Sequence, residues 1–144
     1  MAVTKFLARD LTIEVLDDDD VTWLPIGGLN SLTHSPATSR ADTTDFDSNG
    51  RAEHIVAQRG ESWALAGFAL EDVATGDRDA GQARVEALGQ AVGLGATGSF
   101  RITSPGGNTA TFDGSVEVTL AGGGHNDAAA WQAALEISGD VVYA

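Results

Sequence analysis

Read for its alternation of apolar and polar positions, the 144-residue chain divides into short β segments, one helix and one stretch with no core pattern of its own. Leu11, Ile13 and Val15 alternate with Thr12 and Glu14, a period of two that predicts a strand with one buried face. The run Asp17-Asp18-Asp19-Asp20 would repel itself inside a strand and predicts a solvated turn. Val21-Thr22-Trp23-Leu24 then completes a hairpin before Pro25 and Gly27-Gly28. Farther on, His54-Ile55-Val56-Ala57 and, beyond Gly60, Ser62 to Leu70 predict two more strands. The second is apolar on both faces and is expected at the centre, covered on both sides.

Val85, Leu88 and Val92 recur at helical spacing. With Thr75 or Asp77 as the cap, Asp79 near the positive end, and Gly93 and Gly95 as the stop, they predict one helix. Gly89 in its middle costs about 1 kcal/mol relative to alanine, so close packing on a sheet is expected there. Phe100 and Ile102 then share a face, and Pro105-Gly106-Gly107-Asn108 makes a turn. Ala110, Phe112, Gly114, Val116, Val118 and Leu120 alternate strictly with Thr109, Thr111, Asp113, Ser115, Glu117 and Thr119. After Gly122-Gly123-Gly124, the residues Ala129, Trp131, Ala133, Leu135 and Ile137 repeat the pattern against Gln132 and Glu136, and Ser138-Gly139 breaks it before Val141-Val142-Tyr143. The sum is a mainly β chain with one helix, a β-sandwich or open barrel formed by a single domain over 1–144.

Leu29 to Asn49 stands apart. Ser31, Thr33, Ser35, Thr38, Ser39, Thr43 and Thr44 dominate it, and its apolar residues are Leu29, Leu32, Ala37, Ala41 and Phe46. That is too few for a core element, yet the β-branched content suits extended structure. A segment of this length with no core of its own is uncommon in a compact domain and is usually functional. It predicts a strand running into a long projecting loop that closes at Ser48-Asn49-Gly50 and either finds its packing partners on another chain or stays mobile.

Charge narrows the function. Eight basic residues against twenty-one acidic ones give a net charge of −13. Such a surface repels nucleic-acid phosphates and anionic lipid, which argues against conventional DNA or RNA binding and against membrane docking. The chain has no cysteine, so disulfides, thiolate metal sites and a cysteine nucleophile are excluded. No apolar run approaches the roughly 20 residues that span a bilayer. Met1-Ala2-Val3-Thr4-Lys5 lacks the pattern of a signal peptide, so synthesis in the cytoplasm is expected.

Candidate chemistry is thin. Asp45-Phe46-Asp47-Ser48-Asn49-Gly50 follows the first half of a calcium-binding EF-hand loop, but Val56 stands where the bidentate glutamate belongs. The four-aspartate run reads as a turn, since consecutive residues rarely converge on one ion. His34, His54 and His125 show no ligand spacing. No Gly-x-Ser-x-Gly elbow is present, and Gly122-Gly123-Gly124 neither opens a helix nor precedes lysine. No catalytic constellation emerges, no cofactor is implied, and an enzyme is not expected.

The order and texture of the segments are more specific than any one motif. An early hairpin ends in Trp23-Leu24-Pro25-Ile26-Gly27-Gly28-Leu29-Asn30-Ser31-Leu32, and a polar arm reaches Thr44-Asp45-Phe46-Asp47-Ser48-Asn49-Gly50. Arg59-Gly60-Glu61-Ser62-Trp63-Ala64-Leu65-Ala66-Gly67, a single helix and alternating strands follow. In this the chain resembles, over nearly its whole length, the tail tube (major tail) proteins of long-tailed bacteriophages. The resemblance implies a virion structural protein that forms rings of six, joins inner strands into one barrel around a channel, and stacks into the tube through which DNA passes. It implies an arm over 33–53 that reaches neighbouring subunits, with Thr33, Ser35, Thr38, Arg40, Thr44, Phe46, Asn49 and Arg51 as interface residues. Its partners would be further copies, the tape measure and the terminator. Asp113, Glu117 and Glu136, on the polar faces of predicted strands, are the expected channel-facing acids. The main alternative is an acidic β-sandwich binding module for a carbohydrate or receptor, with calcium at Asp45, Asp47 and Asn49.

Overall fold

The computed structural model describes residues 2–144; Met1, the first residue of the segment read for a signal peptide, lies outside them. Among the described residues, eight antiparallel strands form one sheet: β1 (Thr12–Leu16), β2 (Trp23–Pro25), β3 (Leu29–Asp42), β4 (His54–Phe68), β5 (Thr97–Thr103), β6 (Thr109–Ala121), β7 (Ala130–Ile137) and β8 (Val142–Tyr143). Their order is β2-β1-β5-β6-β7-β4-β3, and β8 pairs with β6 beyond the end of β7. The sheet curls around a core of Ile13, Val15, Leu65, Phe100, Ile102, Phe112, Trp131, Ala133 and Leu135, so it is a barrel-like single sheet rather than a two-sheet sandwich. A cavity of about 280 Å³ lies where the curl brings Ala8–Ile13 opposite Gly28–Leu32.

One helix, α1 (Ala80–Gln90), covers the open side of the core with Val85 and Leu88. Its cap is Asp79, whose carboxylate accepts from the Gln82 amide at 3.1 Å, and not Thr75 or Asp77. Those two residues bond each other in the preceding turn. Val92, expected on the apolar face, falls past the helix end and is 89% exposed. Gly89 behaves as its position in the sequence requires: a Cβ there would stand 3.3 Å from Val118 Cγ2, so the helix rests directly on β6.

The two strands expected over His54–Ala57 and Ser62–Leu70 are one continuous strand, β4, because Gly60 is paired with Ala37 and does not break the ladder. β4 is also not covered on both faces. Leu65 and Gly67 point into the core, while Ala64 and Phe68 are exposed on the outer face. Its apolar outer residues need another explanation than burial within this chain. Leu120, at the far end of β6, is exposed as well, in a shallow pocket it shares with Glu86, Gly89 and Gln90 of α1.

Register ties Thr97, Ser115, Glu136, Ser62 and Ser35 into one row across β5, β6, β7, β4 and β3. On one side of that row lie the start of β3, the end of β6 and the β1–β2 turn, since β1 runs toward Phe100 from Thr103. On the other side lie the Thr103–Thr109 turn and everything in β3 and β4 between Pro36 and Glu61. The molecule therefore has a turn end and an arm end.

Candidate assembly surfaces

From Pro36 to Asp42 and from His54 to Glu61, β3 and β4 pair only with each other, because β7 leaves β4 at Ser62. The segment expected as a loop is thus a two-stranded ribbon for most of its length. Seven residues of β3 beyond the row, at about 3.3 Å each, carry it roughly 23 Å past its last partner strand. Polar composition misled the expectation: a ribbon solvated on both faces needs no apolar alternation, only backbone pairing and β-branched residues.

The root of the ribbon is fixed by its side chains. The His34 ring packs on Trp63 with centroids 4.8 Å apart, and His34 Nε2 lies 3.5 Å from Glu61 Oε1. A bulge at Ala57 shifts the register between Ser39 and Arg40 and adds twist. At the tip the backbone amide of Glu53 donates to Thr44 Oγ1 at 2.8 Å, and that hydroxyl donates to the Glu53 carbonyl. The Asp42 carboxyl is held below the ordinary carboxylate range by hydrogen bonds from Thr44, with His54 adding a smaller attraction.

Of the residues singled out for the arm, Thr33 and Ser35 belong to the rooted part of β3, opposite Ala64 and Ser62. Thr38 and Arg40 lie in the free ribbon, opposite Arg59 and Val56. Thr44, Phe46, Asn49 and Arg51 sit at the tip, where Phe46 is 105% exposed and Asn49 takes the left-handed conformation that ends a short turn over Phe46–Ser48. Asp45 is used locally: its carboxylate accepts from the Asp47 amide at 3.0 Å and from Ser48 Oγ. Among the described residues, no group of three or more His, Cys, Asp or Glu side chains is arranged to hold a metal ion. Arg59, Ile55 and Val56 complete the exposed arm. They escape a sequence reading because one-sided pairing of a strand leaves no mark in its composition.

The second surface is the outer face of the sheet. Across β6, β7 and β4 it presents Asp113, Ser115, Glu117, Thr119, Gln132, Ala134, Glu136, Ser62 and Ala64, small, polar or acidic residues with no cation, with Phe68 at its edge. Glu117 faces Ala134 and Ser115 faces Glu136, so Glu136 lies diagonally across the strand pair from both Asp113 and Glu117. Diagonal neighbours stand about 7–8 Å apart, where each like-charge pair costs about 0.5 kcal/mol in water before screening. Asp113 also accepts from Ser99 Oγ at 2.6 Å. On β5 the face carries one guanidinium, Arg101, which is ion-paired to Glu14 at 2.9 Å and lies 4.4 Å over the Trp23 ring. The face is uniformly anionic in effect.

A third arrangement holds these surfaces in place. Gln82 is completely buried: its Oε1 accepts from the Leu70 amide at 3.1 Å, and its Nε2 donates to the carbonyls of Gly27 at 2.9 Å and Phe68 at 2.8 Å. It ties α1 to the corner before β3 and to the end of β4, the two strands that become the arm. Glu86 accepts from Trp131 Nε1 at 3.0 Å and from both terminal nitrogens of Arg78, which raises the Arg78 pKa further. Neither residue carries a sequence signal, since a buried glutamine on a helix reads as an exposed one.

No family model matches the chain, and no curated protein matches it. Solved structures do. A chain in the tail of an empty gene transfer agent particle, resolved with C6 symmetry, is similar at a TM-score of 0.73 with 23% identity, over 97% of this chain and 99% of that one. A chain of the native gene transfer agent virion gives 0.72 with 22% identity, over 97% and 99%. A chain of the SPP1 tail tube gives 0.71 with 13% identity, over 96% of this chain and 78% of that one. The fold is that of these tail and tail tube chains.

Proposed function

We propose that this chain is the structural subunit of a virion tail tube, a bacteriophage-type tail in which copies form rings of six and the rings stack. The observation that carries the reading is the anionic outer face of β5, β6, β7 and β4 on a fold shared with tail tube chains. A sheet face exposed in the subunit, built from small polar residues and from Asp113, Glu117 and Glu136, suits the wall of a water-filled channel. DNA gains affinity for a protein by exchanging condensed counterions for cations. This face offers none that is free, so DNA would slide past it without binding. The role is non-catalytic; its partners are further copies and the other tail proteins, such as a tape measure and a terminator; its place is the virion tail. The arm, over 33–53 with its return strand, is the inter-subunit contact.

Electron microscopy of the concentrated protein across a salt series tests this. Hollow six-fold tubes with Glu117 on the lumenal wall are the expected result. Tubes with that face outward would refute the channel assignment. A monomer by sedimentation at millimolar concentration throughout the series would count against self-assembly.

A further inference from the structure

The cations of this chain are unevenly used. Arg78 and Arg101 are ion-paired, and Arg84 donates to the Leu16 carbonyl at 3.1 Å. On the arm, Arg40, Arg51 and Arg59 are exposed and make no ion pair among the described residues. Register places Arg40 and Arg59 on one face: Thr38 lies opposite Arg59, and Arg40, two residues on, lies opposite Val56. The same ribbon exposes Phe46, Ile55 and Val56. An apolar and cationic surface thus hangs from the arm end of a chain whose net charge is −13.

The complementary surface lies at the opposite end. There the β1–β2 turn presents Asp17 to Asp20, followed by Val21, which is exposed. The turn over Gly93–Ala96 leads into β5 at this end, and Val92 and Leu94 are exposed beside it, Leu94 at 95%. Apolar residues rimmed by carboxylates face one way, and apolar residues flanked by arginines face the other.

We infer that the arm of one copy docks head-to-tail on the turn end of a second copy, with Arg40 and Arg59 against the Asp17–Asp20 turn and Phe46 and Val56, the latter on the same ribbon face as the arginines, against Val21, Val92 and Leu94. The inference rests on the tube reading and says what the arm grips. A contact between different patches on identical chains closes into a ring where its rotation closes and otherwise propagates along an axis, and patches at opposite ends of the chain suit the second. Stacking needs that geometry, and the roughly 23 Å of free ribbon supplies the reach. A lone arginine pair on a solvated ribbon is worth little by itself. Buried beside an apolar contact and facing several carboxylates, it sets which surface the arm accepts.

Two measurements test it separately from the tube reading. In the first, Arg40→Glu with Arg59→Glu reverses the arm, and Asp18→Arg with Asp20→Asn reverses the turn; asparagine is chosen because residue 20 has φ +58°. Each set alone is expected to lower assembled mass at least tenfold while the melting temperature stays put, and both sets in one chain to restore assembly. In the second, a Phe46→Cys chain is mixed with a Leu94→Cys chain and treated with a bismaleimide, the chain having no other thiol. Crosslinked heterodimers are expected, and far fewer when Tyr143→Cys, at the arm end, replaces Leu94→Cys. Tubes without rescue and without the crosslink would overturn the docking and leave the tube intact. The crosslink without tubes would support the docking and sink the tube; neither would sink both.

Discussion

Replacing Gln82 by methionine isolates the clamp that holds the arm's two strands to the helix. Methionine matches the shape of glutamine, so the packing cost of the swap is typically below about 1.5 kcal/mol. What is lost is polar. The Leu70 amide and the carbonyls of Gly27 and Phe68 each lose a partner at a position where Gln82 is 0% exposed. A buried group left unpaired costs about 1–3 kcal/mol, with carbonyls at the lower end because each keeps a second lone pair for other donors. The sum is about 3–5 kcal/mol, a large share of the roughly 5–15 kcal/mol that a domain has in total. With a urea m-value of about 2 kcal/mol/M, the unfolding midpoint should fall by about 2 M, read from tryptophan fluorescence. Gln90→Met, at the exposed end of the same helix, should change stability by no more than about 0.5 kcal/mol. A Gln82→Met loss below about 1 kcal/mol would mean that the three bonds are replaced by water, and the clamp would be refuted.

Two further outcomes follow from local geometry. A Cβ on Gly67 would stand 2.6 Å from Leu29 Cα, backbone against backbone, so Gly67→Ala should cost about 3 kcal/mol, the top of the overpacking range. Gly60→Ala, whose nearest neighbour would be Ala37 O at 3.8 Å, should cost far less; differential scanning calorimetry separates them. The Asp19 carboxyl is pulled below 3.8 by hydrogen bonds from the Thr22 amide first, then the Thr22 hydroxyl and the Val21 amide. A depressed carboxyl stabilises the fold above its unfolded pKa, and that contribution fades as pH falls through the folded value. The amide shifts of the turn should therefore titrate with a midpoint below that of an ordinary aspartate, and Asp19→Asn should remove that transition from the NMR titration.

Much of this architecture is legible in the sequence because the core has a period of two. Phe100, Ile102, Phe112, Trp131 and Leu135 are buried where alternation puts them, and the polar partners of those strands supply the anionic face. Legibility fails where structure is decided by something other than apolar pattern. Val92 keeps the helical spacing but lies past the end of α1, since Ala91 already takes an extended backbone. The helix cap is Asp79 because the oxygen that accepts from Gln82, Oδ2, also receives the Gly27 amide at 3.2 Å, a tertiary bond no local rule contains. The arm is a ribbon because backbone pairing between Pro36–Asp42 and His54–Glu61 is invisible to hydropathy. For the same reason Arg59 does not stand out until pairing places it beside Arg40.

That the arm is already paired changes how assembly must be restrained. A disordered arm would lose entropy on docking and slow the reaction; a ribbon anchored by His34 on Trp63 and closed by Thr44 has met most of that cost in folding. Restraint then falls to electrostatics. Chains of charge −13 repel one another over a Debye length of about 30 Å at 0.01 M salt and about 8 Å at 0.15 M. The arginine–aspartate contacts act at hydrogen-bond range and persist after the long-range repulsion is screened. Assembly should therefore rise between about 0.01 and 0.15 M salt and fall again near 1 M, where the Debye length of about 3 Å reaches the contacts themselves. The arm-reversed chain, Arg40→Glu with Arg59→Glu, has no attraction to lose and should rise with salt throughout. A steady fall in the unaltered chain from the lowest salt upward, read by light scattering, would mean that subunit repulsion does not gate the process and that restraint must come from a template.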